Sequence, residues 1–306
     1  MSNFVEMLWY YEGYVVPHAK ERVLPDGSMQ LIINLAEDRL GVFDSRDPRV
    51  RRTLSGCLVS GARSEFVVID TSCQKSIMGA AFKRGGGFPF FHLPASELHN
   101  EQVSLDVLWG SRAGELRERL LEAQTPDARF QILERALLAQ AGTFSRHPAV
   151  AFALSEFGSV PHSRTVADVT DQIGLSQRRF IQVFRDEVGL TPKLFCRIRR
   201  FQEALQVIRR ENVINWAGVA SDCGYFDQAH FIHDFQAFSG INPTTYAANV
   251  GEFANHVAIA DPVCEAGNRL KAELRTGNRW HPKVNFLQYR RGPAGDNGVR
   301  LDGTQR

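Results

Sequence analysis

The first 90 residues alternate short apolar runs with turn signals. Leu8-Trp9-Tyr10-Tyr11 and Gly13-Tyr14-Val15-Val16 are rich in strand formers. Pro25-Asp26-Gly27 marks a turn that leads into Leu31-Ile32-Ile33-Asn34-Leu35. Further apolar runs stand at Cys57-Leu58-Val59, Phe66-Val67-Val68-Ile69 and Ile77 to Phe82. Five or more short strands with Gly-rich turns predict a small barrel or sandwich. After Arg84-Gly85-Gly86-Gly87 the period turns helical. Leu116, Leu120 and Leu121 fall on one face of Ser111 to Ala123. Thr125-Pro126 offers a cap followed by proline at the first helical position, opening a stripe of Phe130, Leu133, Leu137 and Leu138. A linker is expected near residues 158–163. The tail beyond about Ala248 reads as disordered towards its end, with Val284 to Tyr289 as an alternative strand that docks back onto the body.

The next pattern is the most specific in the chain. Thr165 can cap a helix whose inward positions are Val166, Val169 and Ile173. Gly174-Leu175-Ser176 then breaks it, with glycine for a left-handed turn and serine to cap the next helix. In that helix Phe180, Val183, Phe184 and Val188 share a face. At 100° per residue the opposite face holds Arg178, Gln182 and Arg185, flanked by Ile181 and Arg179. This is the helix-turn-helix plan, whose second helix enters the major groove, where Arg pairs with guanine and Gln with adenine. The plan recurs. Trp216, Val219 and Ala220 lead to Cys223-Gly224-Tyr225-Phe226, then Asp227 as cap and Phe231, Phe235 and Phe238 as buried stripe. Both units close alike, in Gly189-Leu190-Thr191-Pro192 and Gly240-Ile241-Asn242-Pro243. A repeat with the same punctuation at both ends separates this reading from an ordinary helical hairpin with a polar face.

Charge sharpens the picture once it is divided by region. The 306 residues carry 36 Lys and Arg against 34 Asp and Glu, a net of +2. From Ser176 to Arg210 nine basic residues face three acidic ones; from Glu211 to Val250 there are four acidic residues and no Lys or Arg. Clustered cations, rather than a high total, are what phosphate neutralisation needs. Pro192 starts a connecting helix that runs to about Glu211, some 28 Å long at about 1.5 Å per residue. That approaches the roughly 34 Å between successive major-groove faces on one side of a duplex. Arg197, Arg199, Arg200, Arg209 and Arg210 on or beside it are candidate phosphate ligands, together with Arg179.

Residues 165–247 resemble the DNA-binding domain of the AraC/XylS family of bacterial transcription regulators. The resemblance rests on Ile173 to Phe180, Phe184, Gly189 to Pro192, Val219-Ala220, Gly224 to Phe231, Phe235 and Gly240 to Pro243. It implies that both recognition helices meet a promoter, with Arg178, Ile181, Gln182 and Arg185 from the first and Gln228, His230 and His233 from the second. Thr170, His233 and Ala247 depart from the family's usual Ala, Arg and Arg. The N-terminal part also resembles a sensor region attached to some members, through Arg22 to Gly27, Phe82 to Gly87 and Leu105 to Gly110.

Other chemistries have weaker signals. His18, His92 and His99 share the β-rich part with Asp26, Asp70 and Glu97, but no HxH or HxxxH spacing ties them together. Arg84 to Gly87 lacks the context of a phosphate loop. Cys57 and Cys73 are candidate redox or alkyl-accepting nucleophiles without basic neighbours to activate them. The five cysteines form no CxxC pair and read as reduced thiols. Trp9, Tyr10, Tyr11 and Tyr14 would line a cavity or fill a strand core. No apolar run approaches the roughly 18 residues of a membrane span, and the N-terminus lacks a signal-peptide pattern.

The expected fold class is α+β. Residues 1–158 would form a β-rich, barrel- or sandwich-like sensor domain with trailing helices, residues 159–250 an all-α tandem helix-turn-helix domain, and residues 251–306 a tail. The expected function is sequence-specific DNA binding that regulates transcription in the cytoplasm. Expected partners are double-stranded promoter DNA, RNA polymerase, a small-molecule effector at the N-terminal domain and a second copy of the chain. No cofactor, metal, membrane contact or enzyme activity is expected. The alternatives are an enzyme or DNA-repair protein that uses the helical domain for targeting, and a nucleoid-type binder with little sequence preference.

Overall fold

A computed structural model of the protein describes residues 1–13, 18–45, 47, 49–159, 165–211, 213–251, 253–259 and the backbone of 283–288. The strands are β1 (Val5–Glu12), β2 (Lys20–Val23), β3 (Gln30–Asn34), β4 (Arg39–Phe43), β5 (Arg51–Ser55), β6 (Cys57–Ser60), β7 (Val67–Asp70), β8 (Ser76–Phe82) and β9 (Gln102–Ser104). Among the described residues ten α-helices follow: α1 (Leu105–Trp109), α2 (Ser111–Glu122), α3 (Pro126–Gln140), α4 (Pro148–Ser159), α5 (Val166–Ile173), α6 (Gln177–Val188), α7 (Pro192–Arg210), α8 (Trp216–Asp222), α9 (Gln228–Ser239) and α10 (Pro243–Asn249). Two more strands, β10 (His256–Ile259) and β11 (Lys283–Gln288), come after the helices. Among the described residues no helix is long and apolar enough to cross a membrane.

The strands build two antiparallel sheets, one ordered β11-β1-β8-β3-β6-β9 and the other β10-β2-β7-β4-β5. Period-two alternation divides the first sheet's side chains cleanly. Trp9, Leu58 and Ile77 join Leu40 of the second sheet in a small core between the sheets. Their neighbours Leu8, Tyr10, Leu31, Ile33, Met78 and Ala80 point the other way and pack in the large core that includes Trp109, Leu116, Phe130 and Leu133 of the helices. The aromatic run in β1 is therefore split: Trp9 and Tyr11 face the inter-sheet core while Tyr10 faces the helices. Tyr14 lies outside the described residues. Strand core accounts for the described members of that group.

Helix α3 starts as its sequence dictates, with the Thr125 hydroxyl accepting from the Ala128 amide and Pro126 in the first turn. Leu121 and Leu138, expected in the apolar stripes, are exposed instead. Each sits 100° around the helix from a buried neighbour, Leu120 or Leu137, on the side turned towards solvent. The linker expected from residue 158 begins later, because α4 continues to Ser159; residues 160–164 lie outside those described. Ala149, Val150, Ala153 and Phe157 bury one face of α4.

The chain returns to the sheets after the helix-turn-helix units. β10 adds to the edge of β2, pairing His256 with Val23 and Ile259 with Lys20. β11 adds to the edge of β1, where the sequence offered a strand at residues 284–289. Glu21 in β2 is buried between His256 (Nδ1 to Oε2, 3.1 Å) and His18 (Nε2 to Oε1, 3.5 Å). Burial works against its charge, but hydrogen bonds from both rings outweigh it and lower the carboxyl to about 2.

Candidate nucleic-acid interface

The two helix-turn-helix units form through the local signals that the sequence carries. Thr165 and Asp168 make a reciprocal capping box at the start of α5, and Gly174 ends that helix at φ +71°. Thr170 is buried, and its hydroxyl donates to the Val166 carbonyl at 2.7 Å. Ser176 caps α6 by accepting from the Arg179 amide. Thr191, Asp227 and Asn242 do the same for α7, α9 and α10. Phe180, Val183, Phe184 and Val188 are buried on α6, and Phe231, Phe235 and Phe238 on α9. Edge-to-face ring contacts bind the second unit to α7, with Phe201 and Phe235 centroids 5.2 Å apart.

Burial of those stripes turns the polar faces outward. Arg178, Arg179, Gln182 and Arg185 are exposed on α6, with Ile181 half-buried beside them. The Gln182 amide donates to both carboxylate oxygens of Asp186, at 2.8 and 3.0 Å, which fixes its reach along the helix. On α9, Gln228 and His233 are exposed. His230 is half-buried: its amide donates to Asp227, its Nδ1 accepts from the Phe226 amide at 3.4 Å, and its ring meets Tyr225 edge-on at 5.4 Å. His230 thus helps to hold the turn before α9.

The arginines of the connecting helix divide into two sets. Arg209 and Arg210 are exposed at its C-terminal end. Arg197 donates to Asp234 of α9 through Nη2 at 2.7 Å and Nε at 3.3 Å, and its guanidinium lies over Phe238. Arg200 donates to the Gly224 carbonyl at 3.0 Å and lies over Tyr225. Arg199 donates to the Gly158 carbonyl at 3.4 Å, and burial lowers its pKa. These three were candidate phosphate ligands on charge alone. The structure gives each an internal partner, because α7 buries a wide arc of Phe195, Ile198, Phe201, Leu205 and Ile208 and the arginines at its margins meet the α8–α9 turn, α9 and α4.

The first unit is fastened to the β-rich part. Gly189, at φ +84°, ends α6 against Ala62 and Ala95: a Cβ there would stand 3.1 Å from the Ala62 Cβ and from the Ala95 carbonyl. Ser96 Oγ reaches Asp186 at 3.4 Å. Buried Gln202 of α7 donates to the Pro25 carbonyl at 2.8 Å and to Asn255 Oδ1 at 3.0 Å, joining α7, the β2–β3 turn and the segment before β10. None of these contacts carries a sequence signal, since their partners lie up to 177 positions apart.

The residues of the enzymatic alternative do not assemble. His18 pairs with Glu21, His99 with Ser64 (Nε2 to Oγ, 3.2 Å), and Asp70 with Arg51 (2.6 Å), while Asp26 caps its own turn through Ser28 and His92 and Glu97 are exposed. Among the described residues no group of three or more His, Cys, Asp and Glu is placed to hold a metal ion. Burial pushes the Cys57 thiol up to about 12 and also raises Cys73, so neither thiol is activated as a nucleophile.

Residues 1–104 match a family described as a domain of unknown function (DUF6597), and residues 169–249 match one described as a helix-turn-helix domain. The protein named "Probable transcriptional regulator LumQ" of Photobacterium leiognathi is 30% identical over 82 residues. That stretch is 27% of this chain and 33% of LumQ, so the chain spans about a third of the length of this curated relative. Among solved structures, ToxT from Vibrio cholerae aligns over 80% of this chain and 98% of its own, at 10% identity and a TM-score of 0.39. The C-terminal domain of AraT, a response regulator from Geobacillus stearothermophilus, aligns over 35% of this chain and 91% of its own, at 18% identity and a TM-score of 0.32.

Proposed function

We propose that this chain, whose residues 169–249 form a helix-turn-helix domain of the AraC type, is a sequence-specific DNA-binding regulator of transcription that acts in the cytoplasm. The observation that carries the reading is the repeated unit: two capped helices, α6 and α9, each with a polar outer face, separated by a rigid 19-residue helix. In this reading Arg178, Gln182 and Arg185, with Ile181 beside them, meet base edges in one major-groove segment. Gln228 and His233 meet the next, with His230 shaping the turn that presents them. Arg179, Arg209 and Arg210 neutralise phosphates. Residues 1–158 sense a small molecule and residues 159–250 read DNA, while β10 and β11 of the 251–306 tail complete the sheets of the sensing domain. RNA polymerase and a second copy of the chain are the protein partners of such a regulator.

The test starts from duplexes that the full chain selects out of a random library. Arg178→Ala should cost roughly 1–3 kcal/mol on the selected site and relax specificity at one position. Unchanged affinity and unchanged sequence preference would remove α6 from the groove.

A further inference from the structure

The turns of the two units differ by one residue. In the first, Gly174 is followed by Leu175 and then the cap Ser176. In the second, Gly224 is followed by Tyr225, Phe226 and only then the cap Asp227. The residue before a helix cap ordinarily packs on the fourth residue of the helix as a hydrophobic staple. Here Tyr225 fills that role, buried and with its ring 5.3 Å from that of Phe231. The additional residue is displaced outward: Phe226 is 91% exposed, the highest value among the exposed large apolar side chains described. Its backbone is held, with the amide donating to His230 Nδ1, so the ring projects from a defined position at the start of α9.

That position is where a recognition helix approaches base edges, because its first residues are the ones that enter the groove. The second unit also has an affinity problem that an aromatic ring answers. From Glu211 to Val250 it carries no Lys or Arg, and the two arginines that α7 turns towards it, Arg197 and Arg200, have internal partners. Beyond the phosphate role given above to Arg209 and Arg210 at the end of α7, its own side chains offer DNA apolar and neutral polar contacts. The major-groove edge of a base pair offers one apolar group, the C5-methyl of thymine. We propose that Phe226 is a specificity-determining residue that packs its ring on a thymine methyl in the DNA segment facing α9. The inference rests on the DNA-binding reading above and deepens it: the first unit supplies charge, and the second supplies a methyl contact.

The test uses the full chain and the duplex it selects from a random library. Each thymine is replaced in turn by deoxyuridine, which removes the methyl and leaves the pairing intact. For the unaltered protein, one such replacement outside the positions affected by Arg178→Ala should weaken binding about fourfold, the worth of one buried methyl. Phe226→Ala should bind the thymine duplex about tenfold more weakly and be indifferent to the replacement, while Phe226→Leu should retain part of both effects. Thermal unfolding of the variants should match that of the unaltered chain, since the ring contributes no buried contact; a loss of folding in both would show that the ring is structural and overturn the proposal. The proposal is also overturned if Phe226→Ala binds as tightly as the unaltered chain, or keeps the same deoxyuridine profile. A variant with intact DNA binding but lost transcriptional output would place the ring on RNA polymerase instead, which likewise overturns it. Failure of the library to yield any preferred sequence would sink the DNA-binding reading itself, and this one with it.

Discussion

Replacing Arg197 by Met decides between two roles for a guanidinium. In the structure it forms a two-bond pair with Asp234, whose side chain is only 3% exposed, while Arg197 itself is 32% exposed. Methionine keeps the apolar stem but removes the guanidinium that lies over Phe238 and pairs with Asp234, so the buried carboxylate is left with only the His230 and His233 rings, at 3.8 and 3.9 Å. Breaking a buried pair from one side costs about 3–5 kcal/mol, and the partial exposure of the arginine moves the expectation to the lower end, about 3 kcal/mol. The reverse change, Asp234→Leu, leaves a guanidinium that can turn towards water, so about 1.5–3 kcal/mol is expected. The double variant strands nothing and should recover most of the loss, which gives a coupling of at least about 2 kcal/mol. Urea unfolding followed by circular dichroism measures all four corners of the cycle. The salt dependence of DNA binding supplies the second readout: a lost phosphate contact flattens the logarithmic slope by about 0.9, whereas a lost internal pair leaves it unchanged. If Arg197→Met unfolds within about 0.5 kcal/mol of the parent and flattens the slope by that amount, the arginine holds DNA and the reasoning from its contacts is wrong.

Two further outcomes follow from the junction between the sheets and the helices. Gln202→Leu removes the donor to the buried Pro25 carbonyl and should cost roughly 1–3 kcal/mol. It should also speed hydrogen exchange at the Leu24 amide, which donates to the Asn255 carbonyl at 2.8 Å; unaltered exchange there would mean that Gln202 does not fasten the segment. Glu21 has a folded-state value of about 2, below its ordinary 4.5, so its stabilisation is complete above pH 4.5 and fades as the pH falls towards 2. Protection factors of the β10 amides should fall across that window, and Glu21→Gln should show weak protection already at pH 6 with no further change on acidification. A parent profile that stays flat down to pH 2 would detach the strand from this carboxylate.

What the chain reveals before folding depends on how local the determining contact is. The caps Thr165, Ser176, Thr191, Asp227 and Asn242, and the left-handed glycines at 174, 189 and 240, act within four residues, and they mark the second half of the protein almost element by element. Strands β2, β4 and β5 were not legible. Lys20-Glu21-Arg22-Val23 and Arg51-Arg52-Thr53 are too polar to read as strands; the first is a strand because β7 and β10, remote in sequence, complete its ladders, and the second because β4 pairs with it across a hairpin. The arginines of α7 illustrate a different limit. A helical wheel shows which residues share a face but not which neighbour covers it, so Arg197 and Arg200 look like surface charge until Asp234 and the Gly224 carbonyl arrive from 24 to 37 positions away. Phe226 was visible as a residue of the second turn, yet its exposure emerges only when Tyr225 takes the staple position.

The return of β10 and β11 to the sheets has a consequence for biosynthesis. The sheet edge at β2 is complete only when His256 reaches Val23, and the edge at β1 only when residues 283–288 arrive. A ribosome adding about 5–20 residues per second takes on the order of ten to fifty seconds to cover that interval, while both edges stand open. Meanwhile the helix-turn-helix units, whose contacts are mostly local, can form between them. Unpaired edges recruit other strands. The nascent chain therefore passes through a stage in which its helical half is folded and its β-rich half is still able to pair with the wrong partner.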